Sequence, residues 1–108
     1  MNIEKLPFDK SEFPVSKKFL IDGSLYTIEI QVNTSGNILS CLIYDEKNVL
    51  LQTNKISYFR KINDSSVEGM FTKRLVCMNV DVVEGLKEFS DLEITPDNFG
   101  ELAELYLI

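Results

Sequence analysis

A chain of 108 residues, 44% apolar and 26% charged, has the size and balance of one folded domain rather than a disordered segment. Its formal net charge of −6 is unevenly placed: residues 1–80 hold nine acids and ten bases, and residues 81–108 hold eight acids and one base, Lys87. An acidic third argues against specific nucleic-acid binding through that face, and no apolar run approaches the roughly 18 residues of a membrane helix.

The opening "MNIEKLPFDKSEFPV" has no apolar core of a secretory signal, so a soluble protein made in the cytoplasm is expected. Residues 1–13 are polar and carry Pro7, and read as an arm that lies on something or moves. The remainder, 14–108, reads as a single β domain. In "FLIDGSLYTIEIQV" the dipeptide Asp22-Gly23 accepts positive φ at both turn positions between two runs of β-formers, which predicts a hairpin. Tyr26, Ile28, Ile30 and Val32 alternate with Thr27, Glu29 and Gln31, a period that puts one face in a core and one in water. "NTSGN" at 33–37 predicts a turn, and "ILSCLIYD" at 38–45 a more deeply buried strand. Asp45 to Asn48 predict another turn, because Asp and Asn tolerate the left-handed region and bond their own backbone. "VLLQTNKI" continues as a strand. Loops this short require antiparallel neighbours, hence a meander.

Residues 57–70, "SYFRKINDSSVEGM", fit a short helical turn or a long loop equally well. "FTKRLVCMNVDVV" at 71–83 predicts a strand with Val76, Met78, Val80 and Val82 on one face and Cys77, Asn79 and Asp81 on the other. Residues 84–94 read as a polar connector, with a bent strand or one helical turn as options within it. In "ITPDNFGELAELYLI" Thr95 suits an N-cap, Pro96 the first helical position, and Asp97 the positive end of the helix dipole. Gly100 is a helix stop only four residues later, so one helical turn is expected at 96–99. "ELAELYLI" holds strong helix formers, but eight residues after a Gly break make a marginal helix. A terminal strand needs no such help, because a sheet supplies its bonds, and the strand is favoured. The expected fold is mainly β, a small antiparallel barrel or sandwich with a short helical turn near the C-terminus.

Catalytic chemistry is thin. There is no histidine, which removes the commonest general base and zinc ligand. There is no phosphate-binding loop, and two lone cysteines, Cys41 and Cys77, make neither a zinc site nor a disulfide framework. Both read as reduced core residues. No cofactor or metal is expected, and carboxylate pairs arise by chance among 17 acids. Tyr26, Tyr44 and Tyr106 read as sheet packing with the hydroxyl at the rim, or as interface anchors. The basic pairs Lys17-Lys18, Arg60-Lys61 and Lys73-Arg74 read as solvated or salt-bridged, or as a patch facing the acidic tail of a neighbouring copy.

The ordered set of features resembles the small baseplate plug proteins of bacteriophage tails over nearly the whole chain, from about Leu6 onward. The residues that carry the resemblance are Asp22, Gly23 and Tyr26 of the hairpin, Tyr44, Asp45, Leu50 and Leu51 around the second turn, and Pro96, Asn98 and Gly100 before the closing Leu105, Tyr106 and Ile108. The chain departs from the pattern in having no Trp before Tyr44, where Leu39 stands near that place, and in having Asn48 where a Gly is usual. The resemblance implies a virion structural protein of a tailed phage, or of a phage-tail-like bacteriocin. Such a plug sits where tube, hub and spike meet and helps close the lumen by contact rather than catalysis. It implies tail hub, spike or tube proteins as partners, with a homo-oligomer in the particle a further option. Leu105, Tyr106, Ile108, Glu101 and Glu104 are then interface candidates. Apart from the resemblance, the residues also fit a small β-domain adaptor or binding module unrelated to phage tails.

Overall fold

A computed structural model describes residues 3–33, 35, 37–79, 93–101 and 103–108. Its strands are β1 (Glu4–Leu6), β2 (Val15–Ile21), β3 (Ser24–Val32), β4 (Leu39–Tyr44), β5 (Leu50–Lys55), β6 (Leu75–Met78) and β7 (Glu104–Leu107). They form two antiparallel sheets, one ordered β2-β3-β4-β5 and one ordered β1-β7-β6. The fold is therefore mainly β.

The four-stranded sheet is the expected meander. Ile21 pairs with Ser24 across a two-residue turn in which Asp22 and Gly23 both have positive φ, 51° and 83°. Those values match the handedness of the flanking strands. Tyr26, Ile28 and Ile30 of β3 point into the core. At the second turn the Asp45 carboxylate accepts from the N–H groups of Lys47 and Val49 at 2.8 and 2.9 Å, and Asn48 takes φ 63°. The β4–β5 register then shifts: Tyr44 pairs with Leu50 and Ile43 with Gln52, leaving Leu51 as the extra residue of a bulge. In the 33–37 turn, the Asn33 side chain accepts from the N–H groups of Asn37 and Ile38 at 3.0 and 3.1 Å.

The smaller sheet closes the chain on itself. β7 lies between β1 and β6, with Leu105 opposite both Leu6 and Cys77, and Tyr106 opposite both Lys5 and Val76. Arg74 and Ile108 exchange backbone bonds at 2.9 and 3.0 Å, carrying the ladder to the last residue. The 1–13 stretch, set apart above as an arm, supplies β1 and places Leu6 and Phe8 in the core. Buried residues of both sheets form one continuous cluster, joined by ring pairs such as Phe8–Phe19 at 5.6 Å and Phe13–Phe99 at 5.4 Å.

Several expectations need correction. The described strands do not close into a barrel; they make two open sheets over a shared core. Near the C-terminus the expected short turn is a single hydrogen-bonded one, with no helix among the described residues there: Phe99 N–H bonds Thr95 C=O at 3.0 Å, Thr95 N–H bonds the Asn98 side chain at 2.9 Å, and Gly100 at φ 88° ends the turn. The described helix is a single 3-10 turn, Lys10–Glu12, capped by Asp9. The strand expected over 71–83 starts only at Leu75, because the Asn63 side chain takes the carbonyls of Phe71 and Lys73 at 3.1 and 2.9 Å. Nor does β6 have a wet face. Leu75, Val76, Cys77 and Met78 are all buried, and Phe59 and Ile62 donate backbone bonds to Cys77 and Leu75 at 2.8 Å each. Residues 57–70 form a loop rather than a helical turn. Val80, Asp81, Val82 and the connector through residue 92 lie outside the described residues.

Candidate interaction surface

An antiparallel meander brings the β2–β3 turn and the β4–β5 turn to the same end of the sheet. Register then sets what that end shows to solvent. Leu20 pairs with Leu25, and Thr27 pairs with Tyr44, which pairs with Leu50, all on the face opposite Tyr26 and Ile28. Leu20 is 67% exposed, Val49 54%, Leu50 48% and Leu25 47%. Leu20, Leu25 and Leu50, beside half-buried Tyr44, make an apolar corner on the outer face, with exposed Val49 in the adjoining turn. Large exposed aliphatic side chains in one patch mark contact surfaces more often than scattered ones do.

The corner is held from behind. The Tyr26 hydroxyl donates to the Gly69 carbonyl at 2.7 Å, and its ring meets Phe71 edge-on at 5.0 Å. The Asp22 carboxylate accepts from the Thr72 N–H and hydroxyl at 3.1 and 3.2 Å. These three bonds tie the hairpin end to the 69–72 loop, so the leucines ride on a fixed support. The bulge does the rest: it leaves Leu51 packed on the core while its neighbour Leu50 faces out.

Of the residues singled out from sequence, Asp22, Gly23, Tyr44, Asp45 and Leu50 gather at this end of the sheet, with Tyr26 and Leu51 behind it on the core face. Pro96, Asn98 and Gly100 lie apart from them, in the turn that leads to β7. The five interface candidates divide. Leu105 and Tyr106 are buried, and β7 has a neighbour on each side, so its backbone is not an open edge. Ile108 is half-buried against the core. Glu104 pairs with Lys5 at 2.8 Å, and exposed Glu101 pairs with Lys10 at 2.9 Å. Lys55 pairs with Glu93 at 3.6 Å. Each of these described ion pairs joins a base of the first 80 residues to an acid of the last stretch, within the chain itself. Of the basic pairs noted above, Lys17 bonds the Pro7 carbonyl at 2.9 Å, and Lys61 bonds the Ser65 hydroxyl at 2.7 Å.

Sequence reasoning missed Leu20, Leu25, Phe59 and Asn63. A signal for the first two was present: Leu20 and Leu25 occupy the solvent parity of otherwise alternating strands. Phe59, 46% exposed, sits at φ 56°, unusual for a bulky residue, and is held there by its backbone bond to Cys77. Asn63 is 2% exposed and the one buried polar side chain among the described residues. Nothing local announces it.

Cys41 and Cys77 are both free and buried, and burial pushes each thiol up to about 12. Such thiols stay protonated and inert as nucleophiles at neutral pH. Among the described residues no three His, Cys, Asp or Glu side chains cluster to hold a metal, and no helix is long and apolar enough to cross a membrane.

Neither a curated protein nor a solved structure matched the chain. A family model did, the one described as cyanophage baseplate Pam3 plug gp18, over residues 3–108. That span takes in both sheets, the corner and the closing strand, and it sets aside an adaptor unrelated to phage tails. The chain belongs to this baseplate plug family.

Proposed function

We propose that the chain is a structural part of a phage tail, a plug at the junction of tail tube, hub and spike that acts by assembly contacts and lumen closure. The observation that carries this reading is the family match across residues 3–108, together with an exposed apolar corner that a purely solvated domain would not keep. On this reading the protein is made in the cytoplasm and ends in the virion tail, or in a phage-tail-like particle. Its partners are tail proteins, other copies of itself included where the particle symmetry repeats it. On this reading the chain is a small sandwich suited to filling a space, which two antiparallel sheets over a shared core support. Residues 81–108 carry eight acids and one base, a charge balance suited to a lumen that passes DNA without holding it.

The experiment is complementation of a gene deletion in the parent particle. Wild type is expected to restore intact, infective or lethal tails, and the paired change L20S and L25S is expected to fold normally yet restore at least tenfold fewer. Equal restoration by the double variant would remove the corner from the account. Normal tails from the deletion itself would overturn the proposed function.

A further inference from the structure

The four-stranded sheet has two outer edges, β2 and β5. The β2 edge is accompanied by the chain's own N-terminal stretch, through Lys17 to Pro7 and Phe8 against Phe19. Among the described residues the β5 edge is met only by the Lys55–Glu93 ion pair, with no strand or ring contact beside it. Its hydrogen-bond phase follows from one contact. Ile56 N–H donates to Leu39 C=O at 2.9 Å, one step beyond the Ser40–Lys55 pair. Bonded and non-bonded pairs alternate in an antiparallel ladder. So Asn54 and Gln52 spend their backbone groups on β4, and those of Thr53 and Lys55 point away from the sheet. Among the described residues no backbone group meets them.

This edge is also fixed in shape. The Gln52 and Asn54 side-chain amides both donate to the Ile62 carbonyl, at 2.9 and 3.0 Å, and Gln52 accepts from Asp64 N–H at 2.7 Å. They clamp the inner side of β5 to the loop and leave the edge clear. Proteins commonly guard open edges with a lysine. Here the guarding Lys55 is drawn aside to Glu93 at 3.6 Å. At the other end of the edge stand Leu50 of the exposed corner and Val49 of the adjoining turn.

We infer that β5 is a docking edge for an extended strand of another tail protein, which pairs with Thr53 and Lys55 and lays an aliphatic side chain beside Leu50. An open row of donors and acceptors specifies an extended backbone as partner. A second copy fits less well. In a two-fold pairing of β5 with itself the outward residues, Thr53 and Lys55, must meet one another, and Val49 and Leu50 are left without an aliphatic neighbour. This inference rests on the proposed role in the tail and goes further by naming the contact.

Two measurements test it. The first is T53P. Thr53 N–H is not used inside the sheet, so this change is expected to preserve the fold while removing one docking donor and blocking close approach. In the complementation assay wild type incorporates, and T53P should incorporate at least tenfold less, with circular dichroism and thermal midpoint close to wild type. The second is amide hydrogen exchange of residues 50–55 in free protein and in purified tails, which needs no variant. Thr53 and Lys55 amides should exchange quickly in the free chain and at least a hundredfold more slowly in the tail. Normal incorporation of a folded T53P, or unchanged exchange in the tail, would overturn the inference while leaving the tail role intact. Protection that appears in the isolated protein together with a dimer mass would replace the foreign strand with a second copy. If wild type never enters the particle, the tail role itself fails, and the inference with it.

Discussion

Asn63 offers the sharpest test of how this small fold holds together. Its side chain accepts from Leu75 N–H at 2.9 Å and donates to the carbonyls of Phe71 and Lys73 at 3.1 and 2.9 Å. It thereby anchors the start of β6 to the loop behind β5. In N63A the Leu75 N–H and Phe71 carbonyl lose their partner inside the protein, and each such group costs about 1–3 kcal/mol. The Lys73 carbonyl lies nearer the surface and recovers water. The expected loss is about 2–6 kcal/mol, a large part of the roughly 5–15 kcal/mol typical of a whole domain. At about 4 °C per kcal/mol for a domain near this size, the midpoint should fall by roughly 8–24 °C. N63D separates hydrogen bonding from shape, since it has nearly the same volume. One carboxylate oxygen still accepts from Leu75, but the other faces two carbonyl oxygens. Burial and those carbonyls favour the protonated acid, so its pKa is raised. A raised folded-state pKa means that the stability of N63D is best at low pH and declines as pH rises through that value. Urea melts followed by far-UV circular dichroism at pH 4.5 and pH 7 supply the readout. N63D within about 0.5 kcal/mol of wild type at pH 7, the usual scatter for an inconsequential substitution, would refute the reasoning.

Other expectations follow from the closing strand and the thiols. Every β7 N–H points to either β1 or β6, so L105P or Y106P removes a central ladder bond and should cost about 3 kcal/mol or more; soluble variants of unchanged midpoint would contradict the sheet order. L105A, at a site with no solvent exposure, should cost about 2–5 kcal/mol in the same melts. Each buried cysteine is raised from 9.0 to about 12, so its contribution is complete below pH 9 and is lost as pH rises toward 12. At pH 10 the two together should cost about 3 kcal/mol relative to pH 8. A double variant C41A and C77A, though less stable at neutral pH, should lose most of that slope; a slope equal to wild type would show that other groups cause it.

What could be read from sequence was local. Asp22-Gly23 and Asp45 to Asn48 announce their turns because the required backbone angles and side-chain bonds lie within a few residues. Gly100 likewise separates one turn from the strand that follows. What could not be read depends on distant partners. Nothing in "IEKLPF" reveals that residues 4–6 pair with the last strand, and only that pairing makes β7 central and buries Leu105 and Tyr106. Asn63 looks like any loop asparagine until Phe71, Lys73 and Leu75 close around it. The strand expected from residue 71 begins only at Leu75, because alternation cannot show that a side chain from another loop has claimed the backbone. The contact surface lay between these cases. Leu20 and Leu25 break the polar phase of their strands, which is visible in sequence, but that they face each other and join Leu50 requires the register.

The central claim is that this chain works as a fixed part of the tail rather than as a free protein. A cryo-electron reconstruction of the parent particle's baseplate tests it most directly. The account predicts density for this fold on or around the tail axis between tube and spike, with the Leu20, Leu25 and Leu50 corner buried against a neighbour. A complete baseplate with no density for this fold would contradict it.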